Sequence, residues 1–278
     1  MNQIRCKNLL HKIQKVDNEA KRVVLGALRT TSLVSLEAEL NSAPLHIRLV
    51  ELTSRFLLSS AHYNSYFLEE ITTNFSACRL SQKLLHTMNK LHINLAAIRL
   101  GYNPLDPPRS ITYLQFLVHI NVHYQSEWWT HRLSEGKGLH HCSVKPSLAK
   151  GSTPIFWSAD LPRSVEVAIS RLRLGHALTM EYKRIKLHKG DNPVCRLCNS
   201  APEDISHLLC TCPFLLNERR QLIRKIYLSS NVRDPQLLSP ALILGDTSRF
   251  FSISKKGRLS ILSKLVPLIN KIRSNFPL

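Results

Sequence analysis

A mainly α-helical protein is predicted, and three observations predict it. Apolar residues recur in steps of three and four along most of the chain. Pro, Gly, Asn and Ser/Thr groups interrupt those runs at intervals of helix length. Four of the seven cysteines crowd into one short stretch, which adds a small cysteine-based element to the helical frame. The expected architecture is a helical bundle or connector lobe, followed by a helical lobe that carries this element.

The first helix is marked by Leu9, Ile13, Val16, Ala20, Val23 and Ala27. Gly26 weakens its end, and Thr30-Thr31-Ser32 reads as a break with a new N-cap. A short helix follows from Ser32 to Leu40. Asn41-Ser42-Ala43-Pro44 breaks the chain again, with Pro44 near the start of a helix carrying Leu45, Leu49, Leu52, Phe56 and Ser59/Ser60 on one face. Leu80, Leu84, Leu85, Met88, Leu91 and Leu95 keep helical spacing. Asn103-Pro104-Leu105-Asp106-Pro107-Pro108 is the strongest linker signal. Residues 110–133 read as helix, and Gly136 and Gly138 open an irregular stretch to about Pro162. A helix over 163–174, with Val165, Ile169 and Leu172 inward, ends at Gly175. Short helices are expected at 177–187 and 214–227. A basic helix at 254–272 turns Leu259, Leu262, Val266 and Ile269 inward, with Pro267 as a possible kink. The division expected from these signals is 1–102, a linker at 103–109, 110–162, 163–228 and a basic tail at 229–278.

Charge narrows the range of partners. The chain has 278 residues, with 38 Lys and Arg against 19 Asp and Glu, for a net charge of +19. That excess attracts polyanions at long range, and nucleic acid, RNA or DNA, is the expected partner. No apolar run reaches the roughly 18 residues that a membrane span needs. The best stretch, Ile111 to Val118, is followed by His119 and His123. The first residues are basic and amphipathic, as in an organelle presequence, but Asp17 and Glu19 argue against that reading. The odd number of cysteines, unevenly placed, suits a metal site in a reducing compartment, so the expected location is intracellular, nucleus or cytoplasm.

The chemistry lies in Pro193-Val-Cys195-Arg-Leu-Cys198-Asn-Ser-Ala-Pro202-Glu-Asp-Ile-Ser-His207-Leu-Leu-Cys210-Thr-Cys212-Pro213. A Cys-x2-Cys turn aims two thiolates at one ion about 2.3 Å away. The loop from Cys198 is long enough to return His207 as a third ligand. Cys210 and Cys212 compete for the fourth place. A continuous helix would put Cys210 beside His207. Cys212 needs the backbone to leave helical geometry near Thr211, which Pro213 encourages, so it is slightly favoured. Four such ligands close a tetrahedral site around one structural Zn2+, with no position left for water. Against this stand free cysteines packed as small hydrophobes, and a redox pair, which lacks its usual strand-to-helix setting. His140-His141 with Cys142 read as surface residues, and His176 as a helix-end or core residue rather than a catalyst. No paired carboxylates, phosphate-binding glycine loop or nucleophile triad is evident.

Arg171-Leu-Arg173-Leu-Gly175-His176, the Cys195/Cys198 pair, and His207-Leu-Leu-Cys210-Thr-Cys212-Pro213 with Arg219-Arg220 beyond resemble the C-terminal end of the polyprotein of non-LTR (LINE-type) retrotransposons. In that family an Arg-x-Arg-x-Gly-His segment precedes a Cys-Cys-His-Cys zinc element. The resemblance implies Cys212, rather than Cys210, as fourth ligand. Trp128-Trp129 and Trp157 fall where the family tends to place tryptophans. Residues from Leu10 to Thr31, with Glu37-Ala38-Glu39 and Ala43-Pro44-Leu45, are similar to the helical region after the reverse-transcriptase core. The interval between the two matches holds neither the four metal-binding carboxylates nor the strand pattern of a ribonuclease H domain. The polymerase core with its paired aspartates is absent too, and two-metal nucleotidyl chemistry needs such carboxylates.

The expectation is therefore a zinc-dependent nucleic-acid-binding remnant with no catalytic activity and no small-molecule substrate. Arg171, Arg173, Lys183, Arg184, Lys186, Arg196, Arg219 and Arg220 are offered as phosphate contacts. The alternative is a helical scaffold in which zinc is purely structural and the apolar face of the C-terminal helix docks a protein partner.

Overall fold

The computed structural model describes residues 2–45, 48, 49, 52, 139–144, 160–189, 192–229, 239–244 and 255–275. The readings at 56–133, the linker at 103–109, all three tryptophans and Cys142's side chain lie outside them. The helices are α1 (Asn2–Leu25), α2 (Leu33–Leu40), α3 (Leu139–Val144), α4 (Arg163–Leu174), α5 (Met180–Leu187), α6 (Leu216–Ser229), α7 (Pro240–Leu244) and α8 (Lys255–Asn275). The protein is mainly helical, and no strand occurs among the described residues beyond one isolated antiparallel bridge, Val194 with Pro202.

Local chemistry sets the boundaries. Ser32 caps α2 by accepting the Ser35 N–H, and Asn41 closes it in the left-handed region at φ 52°. Thr179 caps α5 by accepting the Tyr182 N–H, so that helix starts later than the periodicity of 177–187 suggested. Gly175 ends α4 at φ 74°, and the His176 N–H bonds to Arg171 O at 2.9 Å. A side chain at Gly175 would also press on the His140 ring, about 3.0 Å away. Residues 139–144 form a helix inside the stretch expected to be irregular.

The chain forms two compact units, Met1–Ser42 with Glu135–Leu278, and Ala43–Ser134. The first 42 residues thus pack with the C-terminal part, unlike the sequence division, which grouped them with residues up to 102. The reason is a set of contacts onto α4 that no local pattern reveals. Gly26, at φ 60°, lets the end of α1 approach Val167 so closely that a Cβ would lie 2.6 Å from its methyls. The Arg171 Nε donates to Gly26 O at 2.7 Å, and Arg163 donates to Val23 O at 2.7 Å. Two guanidinium groups therefore cap the negative end of α1.

The main core gathers Val165, Ile169 and Leu172 of α4, Leu222 and Ile226 of α6, and Leu268, Ile269 and Ile272 of α8. Each such side chain contributes about 1.5–3 kcal/mol through burial. The α8 face that the scaffold reading offered to a partner is therefore internal, with Leu262, Leu265, Leu268, Ile269 and Ile272 all buried. Leu259, expected inward, is 38% exposed. Pro267 sits on the exposed side, where its missing N–H is tolerated. The opposite holds for α1: Leu9, Ile13, Val16 and Val23 have the predicted helical spacing yet are exposed.

Candidate metal centre

The site is built from a knuckle and a widened helical turn. In the knuckle the Cys195 N–H donates to Ala201 O at 2.7 Å and the Glu203 N–H to Pro193 O at 2.6 Å, pairing 193–195 with 201–203. The Asn199 N–H closes the Cys-x2-Cys turn on Cys195 O at 2.8 Å, and Asn199 takes the left-handed conformation at φ 52°. After a loop, His207–Thr211 forms a single π-helical turn. The Cys212 N–H reaches back to His207 O at 2.7 Å, one residue further than in an α-helix. That extra residue swings Cys212 round toward His207, and Cys212 then turns extended, at ψ 120°, ahead of Pro213.

The ligand atoms of Cys195, Cys198, His207 and Cys212 all lie within 4.8 Å of one another. A tetrahedron with 2.3 Å arms has edges of about 3.8 Å, so small movements would close the group on an ion. Cys195 and Cys212 are fully buried and His207 nearly so. Cys210 stays outside the group and packs against the main core. The widened turn is thus the departure from helical geometry that a Cys212 ligand required.

Neighbours orient the donors. His207 Nε2 lies 3.2 Å from Cys198 Sγ, on the ligand side, while Nδ1 lies 3.1 Å from Thr211 Oγ1. A proton on Nδ1, donated to Thr211, leaves the Nε2 lone pair for an ion. Asp204 Oδ1 accepts the His207 N–H at 2.5 Å, and Ser200 Oγ shares a 3.1 Å hydrogen bond with Cys198 Sγ. Burial pushes the Cys212 thiol up to about 12 and raises Cys195 as well. Cys198 is pulled down to about 6: its desolvation is outweighed by hydrogen bonds from Ser200 and His207. Buried thiols of this kind stay protonated until a cation displaces their protons. The group could hold a metal ion, and its three sulfurs and one imidazole would complete four-fold coordination.

The candidate phosphate contacts divide sharply. Arg173 is buried, and its Nε and Nη2 donate to the two carboxylate oxygens of Glu39 at 2.6 and 3.0 Å. Arg219 is buried, and its Nη1 donates to Cys212 O at 3.0 Å. Both therefore serve the fold and are withdrawn as phosphate contacts; a run of sequence shows charge but not burial. Arg171 caps α1, and Arg196 pairs with the buried Glu203 at 2.5 Å. Arg184 is exposed, paired to Glu181 at 2.8 Å, while Lys186 and Arg220 are exposed and Lys183 is half-buried. No carboxylate pairs with Lys183, Lys186 or Arg220 among the described residues. Arg224, one helical turn from Arg220 and also exposed, adds a cation that the sequence reading passed over.

Two histidines expected on the surface are turned inward. His141, expected on the surface, is fully buried, with Nε2 2.8 Å from Glu39 Oε2. His140 is partly buried against Leu172 O at 2.9 Å. His176 meets the Tyr182 hydroxyl at 3.0 Å, and burial lowers its pKa to about 4, with Lys186 and His140 adding to the shift. No family model, curated protein or solved structure matches this chain.

Proposed function

We propose that this protein is a zinc-dependent nucleic-acid-binding module without catalytic activity of its own, derived from the C-terminal region of a LINE-type retrotransposon polyprotein. The observation that carries the reading is the four-ligand cluster set in a chain of net charge +19. Three thiols and an imidazole favour a borderline-soft, tetrahedral ion, and Zn2+ fits that donor set. The ion would fix the knuckle to the 207–212 turn, and the closed coordination leaves no place for a catalytic water. The phosphate-binding face is assigned to Lys183, Arg184 and Lys186 on α5 and to Arg220 and Arg224 on α6.

Metal analysis and salt-dependent binding test both halves. One zinc per chain is expected, kept in Cys210→Ser and lost in Cys212→Ser. Affinity for RNA or DNA is expected to fall by about one unit of log K per log salt for each phosphate contact. Zinc retained in Cys195→Ser, Cys198→Ser and Cys212→Ser alike would remove the ligand set. Absence of salt-sensitive binding to either nucleic acid would remove the function. The exposed stripe Leu9, Ile13, Val16 and Val23 is what supports the scaffold reading instead. A protein complex resistant to nuclease and abolished by Val16→Glu would favour it.

A further inference from the structure

The helix α5 carries three cations and almost no packing. Tyr182 is its one buried residue, and an isolated helix of eight residues is marginal in water. Beside the Thr179 cap, what fixes its N-terminus comes from Glu203. The Glu203 carboxylate, fully buried, accepts the Met180 N–H at 3.0 Å, and its main-chain carbonyl accepts the Glu181 N–H at 3.2 Å. A buried anion at that end also complements the helix dipole. The same carboxylate accepts the Arg196 N–H at 2.9 Å and the Arg196 Nε and Nη2 at 3.0 and 2.5 Å. Arg196 stands between the ligands Cys195 and Cys198, and its Nη2 also reaches Leu178 O at 3.3 Å, just ahead of α5. Glu203 is thus bonded at once to the metal loop and to the start of the basic helix.

We propose that Glu203 is a positioning residue that makes the basic face of α5 depend on the metal, so that metal occupancy regulates binding of a phosphate backbone. This rests on the functional reading above. With the ion bound, the 193–203 knuckle is rigid, Arg196 holds the Glu203 carboxylate, and the carboxylate holds α5. When the ion leaves, the turn between Cys195 and Cys198 loosens and α5 frays with its lysines. Lys183 and Lys186 then cease to form a fixed pattern of charge, although the net charge hardly changes.

The test compares amide hydrogen exchange of α5 in the intact protein with the metal bound and after chelation, for the wild type, Glu203→Ala and Glu203→Gln. Co2+ loading, followed by its visible absorption bands, reports on the metal site itself. In the wild type, chelation is expected to speed exchange of the α5 amides by about ten- to hundredfold. Protection in α2 should stay unchanged. Glu203→Ala should keep the cobalt bands, show fast α5 exchange even when loaded, and bind a single-stranded oligonucleotide about tenfold more weakly. Glu203→Gln, which keeps an acceptor for Met180, should recover part of the protection. Unchanged α5 exchange on chelation would overturn the coupling. So would joint loss of the cobalt bands and α5 protection in both variants, which would mean a merely structural Glu203. Coupling that appears without oligonucleotide affinity in any form would instead overturn the nucleic-acid reading and leave the coupling standing.

Discussion

Two regions tie this protein together, and they do it by opposite means. The metal knuckle draws four ligands from a stretch of 18 residues, Cys195 to Cys212, around one point. The junction at Arg173 draws on the whole compact unit. Its guanidinium forks onto both oxygens of Glu39 of α2 and donates to Leu244 O of α7, while His141 of α3 shares the Oε2 oxygen of the same carboxylate. One site collects soft donors that could hold an external cation. The other supplies its own cation and buries it beside its anion. The difference shows that a basic residue near a cysteine cluster can be a buried tie rather than a ligand contact, and only tertiary structure separates the two.

Breaking the knuckle should have the larger effect. Structural zinc in small sites contributes on the order of 10–16 kcal/mol of binding free energy. Chelation is expected to lower the thermal midpoint of the intact protein sharply, and calorimetry with and without chelator measures it. Breaking the junction comes next. Arg173→Ala leaves the Glu39 carboxylate buried with His141 but without its guanidinium, and should cost about 3–5 kcal/mol in denaturant unfolding. Arg173→Met combined with Glu39→Leu should recover only part of that loss, because packing replaces the pair while the buried His141 loses its bond to Glu39.

Acid should distinguish the ties that surround the knuckle as well. Burial alone pushes the Glu39 carboxyl up, but Arg173 and His141 outweigh it and hold it far below the ordinary 4.5. Its stabilisation is therefore complete above about 4.5 and lost as pH falls further. His176 is held neutral: its folded value of about 4 lies below the ordinary 6.5, so acidification from 6.5 to 4 favours the unfolded chain. Stability measured at fixed metal loading should decline first through the His176 window and then, below about 4.5, through Glu39, and His176→Gln should flatten the segment between pH 6.5 and 4. The smallest effect is local. Ser32→Ala removes the cap of α2 and should cost about 1 kcal/mol by denaturant titration.

The legibility of the two regions differs for the same reason. The knuckle was readable because its residue types are rare and close together, and Pro213 hinted at the turn that admits Cys212. The junction was not readable. Glu39 looked like one scattered acid among others, His141 like a surface residue, and Arg173 like part of a basic motif. Helices α4 and α8 were legible from periodicity, and so was α1, but periodicity reports a helix and not what covers it. The stripe on α1 is exposed while the similar stripe on α8, Leu259 apart, is packed inward.

The buried Glu39 has a consequence for how the chain is made. Its partner Arg173 lies 134 residues later, and His141 lies 102 residues later. At roughly 5–20 residues per second, the carboxylate emerges about 7–27 s before the guanidinium that neutralises it. Over that interval α1 and α2 have no α4 to rest on, and Glu39 stays hydrated. The knuckle, by contrast, is complete within a few seconds of its first cysteine, on the order of 1–4 s at the same rate. Vectorial synthesis thus closes the cysteine loop as a local event, whereas the N-terminal helices wait for α4, whose Arg173 lies 134 residues beyond Glu39.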